Sequence, residues 1–172
     1  MMTDIFPAGV QAAGNNTFVW SKVSPAIAGS PTVAEINAAT ALDITCYVKT
    51  DAFQVGFDQP REDDTRWCDA STRETFGIPN FTLEQIQHVV NPQGTGAETG
   101  NLAAGQIEEN ATATLYVRLG VKAGTAPAIG QVWDTYSVTT GKAAILPLAS
   151  GKYVRTVQTK LTLVKAGFKL TA

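Results

Sequence analysis

The sequence predicts a mainly β protein: two packed sheets forming a sandwich or barrel, with one or two short flanking helices and a long loop. Three observations predict it. Apolar residues recur at a period of two in several segments, the period at which successive side chains point to opposite faces of a strand. The 15 Gly and 8 Pro fall mostly between those segments, where they mark turns. Helix-start signals, by contrast, occur at only two places. At 172 residues, 44% hydrophobic and 16% charged, the chain suits one domain with a real core.

Each element follows from its local pattern. Residues 1–16 are rich in Ala, Gly and Pro without a period, so they are expected to form a flexible N-terminal arm, with a single domain over 17–172. A short strand is predicted over 18–21. Thr32 stands three residues before Glu35, the spacing of a capping box, and predicts a helix over 33–39. Leu42, Ile44, Cys46 and Val48 alternate with polar residues, which predicts a half-buried strand over 42–49 with Cys46 on its apolar face. Phe53, Val55 and Phe57 continue the alternation until Gln59-Pro60 breaks it. A long loop is assigned to 51–79, carrying the charged run 61–64, then Trp67-Cys68 and Phe76-Gly77-Ile78-Pro79.

Residues 81–90 read as a strand again. Four Gly between 92 and 105 argue for a loop, and Asn101 is placed to cap a brief helix over 102–108 with Gly105 inside it. Strong alternation returns at Thr112, with Leu115, Val117, Leu119 and Val121 on one face. A strand over 132–140, a hairpin turn at Thr140-Gly141-Lys142, an apolar run over 143–148 and a turn at Ser150-Gly151 follow. Residues 153–165 form the longest candidate strand, with Val157, Leu161 and Leu163 on one face.

The order of several short motifs carries a resemblance. Thr45-Cys46-Tyr47 closes the first long strand candidate and leads into the acidic loop. That loop contains Asp63-Asp64-Thr65-Arg66-Trp67-Cys68-Asp69, and Phe76-Gly77-Ile78-Pro79 follows. Asn91-Pro92 and Lys165-Ala166-Gly167-Phe168 complete the series. In this order they resemble the major tail tube proteins of long-tailed bacteriophages, particularly those infecting actinobacteria, over most of the chain. The resemblance implies two packed sheets with a flanking helix, and six copies in a ring. Stacked rings would make a tube through which DNA leaves the capsid without being specifically bound. It also implies assembly with other tail proteins such as the tape measure and the tail terminator, and a location in the virion tail after synthesis in the host cytoplasm. Another head–tail component (terminator, connector or decoration protein) and a carbohydrate-binding or adhesin-like β-sandwich are the alternatives.

The residues give no grounds for an enzyme, a cofactor or a metal. His88 is the only histidine, and it falls on a strand. Adjacent carboxylates such as Asp63-Asp64 point to opposite faces if extended, so they form no acid–base pair. Cys46 and Cys68 lack the partners of a zinc site. The start has neither a basic n-region nor an apolar h-region, and no apolar run approaches the ~20 residues of a membrane span.

Charge is divided unevenly. Residues 1–111 carry 14 of the 15 acids and a net charge of −9, whereas 112–172 carry eight of the 13 bases and +7. Either neighbouring strands neutralise each other within one subunit, or the two halves form surfaces that meet between subunits. On the second reading the interface joins Asp58, Glu62, Asp63, Asp64, Asp69 and Glu74 to Arg118, Lys122, Lys152, Arg155, Lys160 and Lys165. Trp67 and Phe76 would be its apolar anchors. The loop is then expected to be mobile in the monomer and ordered on a partner.

Overall fold

The computed structural model describes residues 13–49, 53–68, 71–148 and 150–172. Most of the expected arm at 1–16 lies outside them. The described chain holds ten strands and two short α-helices. β1 (Asn16–Ser21), β2 (Ala41–Asp43), β7 (Gln85–Val89), β8 (Thr112–Leu119), β9 (Val132–Pro147) and β10 (Tyr153–Lys169) form one antiparallel sheet in the order β2-β1-β8-β9-β10-β7. β3 (Gly56–Asp58) pairs with β6 (Asn80–Thr82), and β4 (Arg61–Asp63) with β5 (Glu74–Phe76), as separate two-stranded ladders. α1 is Val33–Ile36 and α2 is Leu102–Gln106.

The six-stranded sheet curls until its edges meet. Just beyond β2, Val48 bridges His88 of β7, Lys49 N–H donates to Gln87 O at 3.3 Å and Val89 N–H donates to Tyr47 O at 2.9 Å. The fold is therefore mainly β and barrel-like. Inside the curl, Trp20, Ile44, Leu83, Ile86, Leu115, Val117, Val138 and Val157 make the main core. On the other face, Val19, Ile36, Tyr116, Trp133 and Leu170 make a smaller one. Neighbouring residues of β8 enter different cores, so this central strand is buried on both faces although its sequence alternates.

Several boundaries differ from the sequence expectation, each for a local reason. The strand predicted over 42–49 ends at Asp43. The Asp43 carboxylate accepts from Thr45 N–H at 2.9 Å, and Thr45 Oγ1 accepts from Phe18 N–H at 2.9 Å. That side-chain turn diverts the chain, and it leaves Cys46 exposed rather than on an apolar face; Cys46 and Cys68 are both free. The predicted strand over 81–90 divides between β6 and β7, which belong to different sheets.

Thr140-Gly141-Lys142 is no turn, because β9 runs through it. Pairing shifts between Val157↔Ala143 and Thr159↔Thr140, so Gly141 and Lys142 oppose the single residue Gln158. This is a β-bulge; a Cβ on Gly141 would lie 3.3 Å from Gln158 Cβ. The chain reverses at Ser150-Gly151, as the sequence suggests, with Gly151 at φ +77°. Further shifts in β10 re-phase the strand. Leu163 therefore faces solvent, while Val164 packs on the core.

α1 has the expected capping box, with Glu35 N–H donating to Thr32 Oγ1 at 3.2 Å and Thr32 N–H donating to the Glu35 carboxylate at 2.7 Å. Ala26 N–H, donating at 2.7 Å, and then Thr32 N–H hold the Glu35 carboxyl below its ordinary range. α2 starts through a 3₁₀ turn, and Asn101 does not cap it. The Asn101 amide instead donates to Asn91 O and Gly94 O, both at 3.1 Å, and fixes the preceding loop. Gly105 is required within α2 because a Cβ there would lie 2.5 Å from Gly96 O.

His88, at the barrel seam, is fully buried, and among the described residues neither ring nitrogen has a partner. Burial, and then the charge of Arg155 opposite it on β10, lowers its pKa to about 4. The unfolded chain therefore takes up a proton near pH 6.5 that the folded chain refuses until about pH 4. The contribution of His88 to stability is full above pH 6.5 and is lost as pH falls from 6.5 to about 4, a loss on the order of 3 kcal/mol. His88→Leu is expected to shift the acid-unfolding midpoint downward. An unchanged midpoint in a circular-dichroism pH titration would show that another group governs it.

Candidate assembly surface

The segment assigned to a loop is a β-hairpin arm. At its root Phe57 faces Phe81 across the β3–β6 ladder, with ring centroids 5.2 Å apart. Pro60 and Pro79 interrupt the pairing, since proline has no N–H to give a ladder. Across the gap Gly77 N–H donates to Pro60 O at 2.8 Å and Gln59 Nε2 donates to Gly77 O at 2.9 Å. Gly77 has little room to vary: a Cβ would stand 2.7 Å from Glu62 Oε1 and 3.1 Å from Pro60 Cγ. The β4–β5 ladder continues outward through Asp64 N–H to Arg73 O and Arg73 N–H to Thr65 Oγ1, both at 3.0 Å.

The arm has no core of its own. Residues 60–68 and 71–76 are all exposed, so it does not fold back on its own barrel. Phe57, Phe76 and Ile78 are exposed, and Trp67 is 108% exposed. A two-stranded ribbon in this state is marginal in water. Of the predicted acids, Asp58, Glu62, Asp63, Asp64 and Glu74 are exposed on the arm, and Asp69 lies outside the described residues. Arg61–Glu74 at 3.2 Å and Arg66–Asp64 at 3.9 Å pair within it. Pairs this exposed contribute about 0–1 kcal/mol. The Asp63 carboxyl is held below its ordinary range by the hydroxyl and N–H of Thr65.

The predicted basic set does not form one surface. Arg118 is fully buried. It donates to Thr125 O at 2.7 Å, Gln131 Oε1 at 2.8 Å and Thr17 Oγ1 at 3.0 Å, with its guanidinium carbon 5.0 Å from the Trp133 ring centroid. Arg155 donates to Ile107 O at 2.7 Å and Ala104 O at 3.2 Å, covering the carbonyl end of α2. Both are committed inside the subunit. Lys122, Lys152, Lys160 and Lys165 are exposed, although Lys165 reaches Ser30 Oγ. Part of the charge division is also settled internally, because Glu109 lies 3.3 Å from Lys142 and 3.8 Å from Arg155.

One feature of this surface had no signal in the sequence. Val89, Pro92, Ile145, Lys152 and Tyr153 line a groove of about 710 Å³ between the end of β7 and the tip of the β9–β10 hairpin. A second apolar hollow of about 490 Å³ lies beside the arm's root, lined by Phe18, Phe53, Val55 and Tyr136. Among the described residues no group of three or more His, Cys, Asp or Glu is placed to hold a metal, and no helix is long and apolar enough to cross a membrane.

The family model for phage tail tube proteins matches residues 2–166. No curated protein sequence matches the chain. Among solved structures, a chain in the cryo-EM structure of the anti-feeding prophage baseplate, six-fold symmetrised, is similar at 8% identity. The alignment covers 94% of this chain and 96% of that one, with a TM-score of 0.50. At that identity the likeness shows a shared fold and nothing finer. With a matched family over nearly its whole length, the chain belongs to the phage tail tube proteins, non-enzymatic structural components of the virion tail.

Proposed function

We propose that the chain assembles into six-membered rings that stack as the tail tube, the conduit for DNA ejection. The arm carries this reading: a hairpin that exposes Phe57, Trp67, Phe76 and Ile78 on a tail tube subunit has its natural cover in another subunit. The six-fold symmetrised baseplate with a chain of the same fold supports the ring number. The acidic arm meets the exposed Lys122, Lys152, Lys160 and Lys165 of a neighbour, whereas Arg118 and Arg155, bonded within their own subunit, take no part. A ring built this way uses heterologous contacts, which close by rotation. Tape-measure and terminator proteins meet the tube inside and at its end.

DNA must pass through without being held, and each Lys or Arg contact with phosphate adds salt-sensitive affinity. The lumen is therefore neutral or acidic. Electron microscopy of concentrated protein tests the reading: long tubes are expected, whereas isolated rings would favour a different head–tail or baseplate component. Tight binding of duplex DNA by assembled tubes at physiological salt would remove the conduit.

A further inference from the structure

Trp67 is fully exposed near the outer end of an arm whose described residues 60–68 and 71–76 all face solvent. Elsewhere on the same chain, the groove at the hairpin tip is mainly apolar, and its lining includes the exposed Ile145 and Tyr153. We propose that this groove is the socket for Trp67 of a second copy. The inference rests on the self-assembly reading and names the surface that serves it.

Two observations favour this occupant. The first is charge: among the described residues, Lys152 is the only charged one lining the groove, and the arm from 58 to 74 holds six acids against three arginines. The second is position. The arm is rooted where β6 runs into Gln85, the first residue of β7, and the groove opens at the other end of β7, beyond Val89. Arm and socket at opposite ends of one strand give a head-to-tail contact that repeats from copy to copy. The hollow lined by Phe53 and Val55 lies instead beside the arm's own root. An aromatic anchor in an apolar pocket, ringed by complementary charge, is the usual concentration of interface energy.

Cys68, free and exposed next to Trp67, supplies the probe. In a Cys46→Ser background, Gln93→Cys places a thiol on the groove and Asn16→Cys places one on the other hollow. Assembled material is treated with a short bis-maleimide and run on a denaturing gel. Gln93→Cys is expected to give a ladder of linked copies, and Asn16→Cys is expected to stay monomeric. Trp67→Ala, at a side chain wholly exposed in the monomer, should raise the concentration needed for assembly by about tenfold or more. Tubes without the Gln93→Cys ladder, or with the ladder at Asn16→Cys, overturn the socket alone. A Cys46→Ser chain that never leaves the monomer overturns the assembly reading and the socket with it.

Discussion

Changing Glu62, Asp63 and Asp64 together to Lys is expected to slow or stop ring and tube formation while the monomer stays folded. All three side chains are exposed on the arm, outside both hydrophobic cores. The substitution turns the arm's charge between 58 and 74 from −3 to +3, so it approaches the exposed lysines with the same sign. Each exposed pair contributes only about 0–1 kcal/mol, so single substitutions should do little. Complementary charge chiefly sets register and encounter rate, and reversing three sites removes both. Light scattering would follow the rate, and circular dichroism the fold. Lys→Glu changes at 122, 152 and 160 should restore part of the rate. Normal tubes at the normal rate from the triple variant would mean that the arm is no electrostatic clasp.

Arg118→Ala is expected to act on the monomer instead, lowering its stability by about 3 kcal/mol. The substitution removes charge-assisted bonds to Thr125 O, Gln131 and Thr17. One such bond contributes about 1.5–3 kcal/mol, but the cost of burying the guanidinium, which the substitution relieves, offsets much of the sum. It also removes the cation over Trp133 and leaves a cavity beneath the 120–131 connection. Urea unfolding should show a lower midpoint at unchanged slope. Lys122→Ala, on an exposed residue of the same connection, should leave that midpoint alone. Equal midpoints for Arg118→Ala and the parent chain would refute the structural role.

That contrast shows where sequence reasoning stops. Alternation located β8, most of β9 and β10 because each side chain there answers to a sheet face. The Thr32–Glu35 spacing located α1 for an equally local reason. Alternation is blind to depth, however. Arg118 and Lys122 look alike in the sequence, yet one lies in the smaller core and the other in water, because β8 is central only after β1 and β9 have paired with it. Gly141 shows the same limit, since a turn and a bulge use the same residue and only the partner strand separates them. The acidic cluster and Trp67 were legible as surface. The groove was not, because Val89, Ile145 and Tyr153 come together only when β7 and β9 flank β10.

The distribution of tryptophan gives the protein an optical reporter of its own. Trp20 and Trp133 are buried at 1% and 0% exposure, whereas Trp67 is wholly in water. Emission quenched by iodide in the free subunit comes from the arm alone, and the two core indoles supply a constant blue background. If assembly covers Trp67 as proposed, the summed spectrum is expected to move to shorter wavelength and to lose its quenchable fraction. Tail growth can thus be timed on the unlabelled chain, from a single side chain that starts in solvent.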